Sequence, residues 1–238
     1  MICIFRFLIL ALAVCGCSSS AGKIRIGFDP NWYPSDFGSQ TSYVNGYIQE
    51  LLLEMAQYGG FRFELIQRSS DNLLEGMQQG QYQAIISTLP PYEYNLAKYD
   101  FSENFLDLGP VLIVSYGSKK NDLSKMNGEM VGILTNDPAA LILEKYPTLI
   151  IRNYSSIPDL LGAVAKGEIE GALLDQIPAV NYVSDLYAGV LRIVGQPLTN
   201  KGVHLVGPKG TLGTINKNIE ALRKKKAIDA LLKKWGLI

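Results

Sequence analysis

From Lys23 onward, short apolar runs alternate with stretches whose apolar residues recur at helical spacing. Ile24-Arg-Ile-Gly-Phe28 alternates apolar and polar side chains with period two, which predicts a strand. Between Val44 and Tyr58, the residues Ile48, Leu51, Leu52 and Met55 fall at i, i+3, i+4 and i+7, one face of a helix that Gly59-Gly60 stops. Residues 61–66 predict a second strand, Asp71 the cap of a helix ending near Gly80, and 83–87 a largely buried third strand. Gly109-Pro-Val-Leu-Ile-Val-Ser-Tyr116 predicts a strand long enough to cross from one half of the molecule to the other. The pattern then restarts. Strands at 130–134, 149–152, 171–174 and 191–194 alternate with helices opened by Asp137-Pro138, Ser156-Ile157-Pro158 and Pro178. Residues 203–206 lead back, and helices at 216–224 and 227–235 finish the chain.

Strand–helix alternation implies βαβ units, mostly parallel sheets and helices on both faces. Two such runs with a returning segment predict an α/β chain of two lobes, each a mainly parallel sheet flanked by helices, with a ligand cleft between them. Lobe 1 is expected over 23–110 and 205–238, and lobe 2, with the hinge crossovers, over 111–204. The 238 residues, 47% of them hydrophobic, suffice for a substantial core. Formal net charge is zero, so no bulk field favours nucleic acid or an anionic membrane surface. The one basic run, Lys224-Lys-Lys226 with Lys233 and Lys234, reads as a solvated helix face with cations near the helix end.

The N-terminus adds an address. Arg6 is the only charge before Lys23, and the apolar run 7–14 is about eight residues long, whereas a spanning helix needs roughly 20. It reads as the core of a secretory signal. Val14-Cys-Gly-Cys17-Ser-Ser-Ser20 resembles a bacterial lipobox, with Cys17 after the small Gly16 fitting better than Cys15 after Val14. Residues 1–17 are therefore expected to be a signal peptide with lipobox, and 18–22 a flexible tether. Cleavage before Cys17 leaves no pair of cysteines for a disulfide, so stability rests on core burial. The expected location is the periplasmic side of a bacterial membrane, held there by lipid.

Open parallel sheets bind ligands beyond the carboxyl ends of their strands. Those positions hold Asp29-Pro-Asn-Trp32-Tyr33, Ser87-Thr88, Thr135-Asn-Asp137 and Asp175-Gln176, a set of carboxylates, hydroxyls and aromatics suited to a small polar molecule. Singly, such residues are usually caps or turn formers; their recurrence at strand ends in both halves is the stronger signal. His204, the only histidine, lacks the companions of a metal site or a catalytic triad. No Gly-x-Ser-x-Gly elbow, phosphate loop or dinucleotide fingerprint appears, so neither a catalytic set nor a cofactor is expected.

Several segments, in order and in register from about residue 23 to the end, resemble the extracellular solute-binding proteins of family 3, which serve polar amino-acid ABC importers. They are Ile24-Arg-Ile-Gly-Phe-Asp29-Pro30, Gly46-Tyr47 with Glu50-Leu51, Leu73–Gly80 followed by Gln83-Ala-Ile-Ile-Ser87, Val131-Gly-Ile-Leu134, Gly167–Asp175 and Leu231-Leu-Lys-Lys-Trp235. The resemblance implies the two-lobed type II periplasmic-binding-protein fold, a monomer whose partners are a small-molecule ligand and an ABC permease. It implies that Asp175 takes the ligand's amino group and that Trp32, or Tyr33, packs on its side chain. Ser87 and Thr88 would contact the ligand, and Asp29 would reach its side chain.

Departures from the family pattern fall on the carboxylate-binding half. Asn95 stands where the family has an arginine, and Asn brings no charge to a contact that charge roughly doubles in strength. Asn136-Asp137-Pro138 replaces a Gly-Thr/Ser-Thr turn whose N–H groups hold the carboxylate; Asp137 repels an anion and Pro138 lacks an N–H. Ile48 replaces an acid. Two ligand readings stay open: a cation or neutral amine, or an amino acid whose carboxylate meets an Arg or Lys from elsewhere, such as Lys98 or Arg152. A non-transporting sensor or scaffold, and a dehydratase on the same fold, are the alternatives in function.

Overall fold

The computed structural model describes residues 22–31 and 40–238. The signal peptide, Cys17, nearly all of the tether, and Trp32 and Tyr33 lie outside the described residues.

The first sheet is built from β1 (Lys23–Phe28), β2 (Arg62–Gln67), β3 (Ala84–Ser87), β4 (Tyr99–Phe101), β5 (Leu106–Asp107) and β11 (Gly202–Pro208). Its order is β2-β1-β3-β11-β4, with β5 also paired to β11. The second contains β6 (Pro110–Ser115), β7 (Met130–Leu134), β8 (Ile150–Tyr154), β9 (Gly171–Asp175) and β10 (Leu191–Val194), in the order β10-β6-β9-β7-β8. In each, three neighbouring strands pair in parallel, β2-β1-β3 and β8-β7-β9, and the strand that carries the chain between sheets, β11 or β6, runs against all the others. Each sheet is mainly parallel, and β6 and β11 run against it because they are the crossovers, each entering its sheet from the other lobe.

Period-two burial builds three layers in each lobe. On the first sheet Ala84 and Ile86 face α1 (Thr41–Gly59), α7 (Gly213–Lys224) and α8 (Ala227–Lys234), while Ile85 and Val206 face α2 (Ser70–Gln78). The α1 stripe expected from sequence is buried together with Val44 and Tyr47, each large side chain contributing about 1.5–3 kcal/mol. On the second sheet, Val111, Ile113 and Leu174 pack against α5 (Ile157–Ala165) and α6 (Gln176–Asp185); Leu112, Val114 and Leu173 pack toward α4 (Ala140–Leu143). Ile177 of α6 joins Leu106, Leu108 and Val203 in the first lobe's core, so the lobes meet at an apolar joint.

Two segments that carry the family resemblance meet here. A Cβ on Gly46 would enter the ring of Trp235, whose Nε1 donates to Glu50 Oε2 at 2.8 Å while Lys234 reaches the same carboxylate. These residues lock α1 to α8 and lie in the fold, not in a ligand site. Helix α2 starts differently from expectation: Ser69 is its N-cap residue and Asp71 sits inside the first turn.

Candidate functional site

In lobe 1, β1 and β3 are parallel, with Ile26 beside Ala84 and Gly27 beside Ile85. Continuing that register puts Asp29 next to Ser87 at the carboxyl edge. Both Asp29 oxygens accept backbone N–H donors, Oδ1 from Asn31 at 2.9 Å and Oδ2 from Ser70 at 2.7 Å. The side chain therefore caps α2 from 41 residues away and holds the loop after β1. Buried Ser87 accepts from Leu89 N at 2.9 Å, and Thr88 beside it is half-buried. Asn95, on the short α3 (Glu93–Leu96), is buried and donates from Nδ2 to the Pro90 carbonyl at 2.8 Å. Its amide braces the Pro90-Pro91 turn.

In lobe 2, β7 pairs with β9 so that Thr135 and Asp175 end adjacent strands. Asp137 Oδ1 accepts from Ala139 N at 2.8 Å, after Asn136 with φ of 62° in the left-handed region that Asn tolerates. Asp175, at the end of β9, forms an ion pair with Lys201 Nζ at 2.6 Å. Gln176 follows, and its Oε1 is buried without a hydrogen-bond partner.

Lys201 was not legible in sequence. It lies in the returning crossover, 26 residues from Asp175, in a context of turn formers that carries no periodic signal. The crossovers are stitched together at this point. The Lys201 carbonyl accepts Leu108 N at 2.8 Å and Gly109 N at 3.1 Å, and the Gly109 carbonyl accepts Gln176 N at 3.2 Å. Two glycines permit the close approach: a Cβ on Gly109 would lie 2.9 Å from the Thr199 carbonyl, and one on Gly202 would lie 2.8 Å from that of Leu106. Asp175 and Lys201 thus sit on the floor where both chains pass between lobes.

His204 joins this floor to lobe 1. It is buried on β11 opposite Ser87, edge-on to Phe101, with Nε2 2.9 Å from the Leu89 carbonyl and Nδ1 3.0 Å from Asn104 Oδ1. Asn104 in turn donates to Asp107 and to the Asn200 carbonyl, both at 3.1 Å. Burial pushes the imidazole pKa down to about 4, against the opposing pull of the Leu89 carbonyl. The residue is a structural link between the strand-end turn and the crossovers.

Elsewhere, a cavity of about 460 Å³ opens among Ile24, Phe61, Ala84, Leu212 and Ile215. It lies at the amino ends of the parallel strands, opposite the Asp29 and Ser87 edge. Among the described residues no cluster of His, Cys, Asp and Glu could hold a metal, and no helix is long and apolar enough to cross a membrane.

The chain is similar to a probable histidine-binding protein of Neisseria gonorrhoeae, 23% identical with 95% of this chain and 91% of that one covered. In structure it is similar to the L-cystine solute receptor of N. gonorrhoeae in its unliganded open conformation, with TM-score 0.65, 16% identity and 90% and 92% of the two chains covered. It is also similar to an ancestral cyclohexadienyl dehydratase, with TM-score 0.70, 17% identity and coverage of 91% and 93%. These likenesses establish the two-lobed fold of type II periplasmic binding proteins. The model of the bacterial extracellular solute-binding proteins, family 3, matches residues 24–238, and the chain belongs to that family.

Proposed function

We propose that this protein is the extracytoplasmic solute-binding component of an ABC importer and captures a small polar amino acid or related amine between its lobes. The observation that carries the reading is Asp175, a carboxylate at the carboxyl edge of the second sheet, paired with an ammonium group on the cleft floor. A site that already holds one ammonium offers the charge and hydrogen-bond geometry for another. The lobes follow the two sheets: lobe 1 takes in β1–β5 and β11 with α1–α3, α7 and α8, and lobe 2 takes in β6–β10 with α4–α6. A ligand touching both lobes stabilises the closed form by its differential affinity for that form. The closed monomer then docks on the permease. The names of the similar proteins, with histidine and L-cystine as their ligands, support an amino acid.

Binding is favoured over chemistry. Both oxygens of Asp29 already accept backbone hydrogen bonds, so that side chain is committed to holding its loop and the start of α2. The likeness to an ancestral dehydratase keeps an enzyme as the second reading. Isothermal titration with histidine, arginine, glutamine, cystine and polyamines tests the proposal, with product analysis on the same mixtures. Saturable binding without turnover supports it; turnover supports the dehydratase; silence across the panel supports a sensor or scaffold. Lipid anchoring at Cys17 has its own test, since Cys17→Ala should move the protein from the membrane fraction to the soluble fraction.

A further inference from the structure

Resting on that amine-binding reading, we propose that Lys201 sets ligand specificity. It guards Asp175 until a ligand's ammonium replaces it, and it then receives the ligand's carboxylate.

Among the described residues, the other candidate positions for a carboxylate partner are occupied or remote. Asn95 directs its amide to Pro90, and Asp137 takes the Ala139 N–H at the start of a four-residue helix. Neither place supplies a cation. The Arg152 guanidinium lies over the Tyr154 ring at 5.4 Å on β8, at the sheet edge, and Lys98 is exposed between α3 and β4. Lys201 alone among these cations meets the residue expected to hold the ligand's amine.

Lys201 combines a fixed backbone with a free-swinging end. Two N–H groups fix the Lys201 carbonyl, so its backbone is anchored to the other crossover. Its ammonium ends a flexible four-carbon stem and is nearly half exposed. It can leave Asp175 without any backbone moving.

Charge balance favours a zwitterion. Asp175 and Lys201 together are neutral, as is a zwitterionic amino acid. Inserting the ligand between them replaces one ion pair by two crossed pairs, carboxylate to ligand ammonium and ligand carboxylate to Lys201. A simple amine breaks the original pair and leaves the lysine charge uncompensated, which is costly on a partly desolvated floor. The unpartnered Gln176 Oε1 beside Asp175 adds acceptor capacity for the incoming ammonium. The site therefore selects α-amino acids against their decarboxylated amines, although both usual carboxylate-binding places are altered.

The test uses matched pairs, histidine with histamine and arginine with agmatine, titrated against the mature wild type, Lys201→Met, Lys201→Arg and Asp175→Asn. The wild type should prefer the amino acid in the pair it binds. Lys201→Met should weaken that amino acid about 10- to 100-fold, the scale of a charged hydrogen bond, and strengthen the amine. A merely structural lysine would not give these opposite signs. Lys201→Arg should restore most of the amino-acid affinity, and it carries the test should the Met variant fold poorly. Unchanged amino-acid affinity in Lys201→Met, or a wild type that prefers the amine, overturns the role of Lys201 and leaves the solute-binding reading standing. Binding of neither series overturns both.

Discussion

Asp29 and Asp175 each close a parallel strand of their lobe, β1 and β9, and look alike in sequence, yet the fold uses them differently. Asp29 accepts two backbone N–H groups, from Asn31 and Ser70, at positions fixed by α2 and its own loop. Asp175 pairs with the end of a flexible side chain that is nearly half exposed. Backbone donors cannot leave without local unfolding, whereas a lysine can swing away. The backbone donors make Asp29 part of the fold, whereas the lysine contact of Asp175 can be broken by a side-chain rotation, which the proposed exchange with a ligand requires. That difference was invisible in the chain, where each is an Asp following an apolar run.

The largest expected effect falls where the two regions join. The unfolded chain protonates His204 near pH 6.5, whereas the folded chain does so only near pH 4. Between these values the unfolded state binds more protons, so stability present above pH 6.5 is lost as pH falls, by about 3 kcal/mol across the window. Urea unfolding at pH 7.5, 6 and 4.5 measures the loss. His204→Gln, which can still donate to the Leu89 carbonyl but does not titrate, should remove most of the difference. A wild type and variant with the same pH slope would show that this link does not govern the acid response.

Next in size is the pair of strand-end carboxylates. Asp175→Asn should weaken ligand binding roughly 100-fold and change stability by less than about 1 kcal/mol, since its pair is partly exposed. Asp29→Ala should do the reverse in kind, costing about 1–2 kcal/mol through two lost backbone acceptors. It should lower the urea midpoint with an unchanged m-value. If Asp29→Ala leaves the midpoint where it was and abolishes binding, the distinction between the two carboxylates collapses.

The fold was legible because its long elements carry their own pattern. Helix α1 shows the full apolar stripe, and β7 and β10 have the predicted ends, Met130–Leu134 and Leu191–Val194, since apolar runs there are bounded by turn residues. The short elements were not legible. Strands β4 and β5 have three and two residues and exist because β11 pairs with them. The cap of α2 was assigned to Asp71, inside the helix, because the true acceptor lies on the loop after β1. The same applies to the site. Asp175 could be placed at a strand end from its local run, but Lys201 reaches it across 26 residues through chain crossing alone. Local pattern predicts where a polar group stands, and only the tertiary path decides what it faces.

The smallest effect supplies the control. Lys224 and Glu220 on α7 are also 2.6 Å apart, the same separation as Lys201 and Asp175. Each holds the other in its charged form, raising the lysine pKa and lowering that of the glutamate. Yet they form an i,i+4 pair on an open helix face, with side chains 75% and 53% exposed, where water screens the attraction. Lys224→Met should leave the urea midpoint and the preference between an amino acid and its amine unchanged. Lys201→Met removes an ion pair of identical length and should invert part of that preference. Distance is common to both pairs, so a contrast between the variants must come from place: one pair lies on the floor between two lobes and the other faces solvent. Equal behaviour in the matched titrations would mean that Lys201 is one more surface charge.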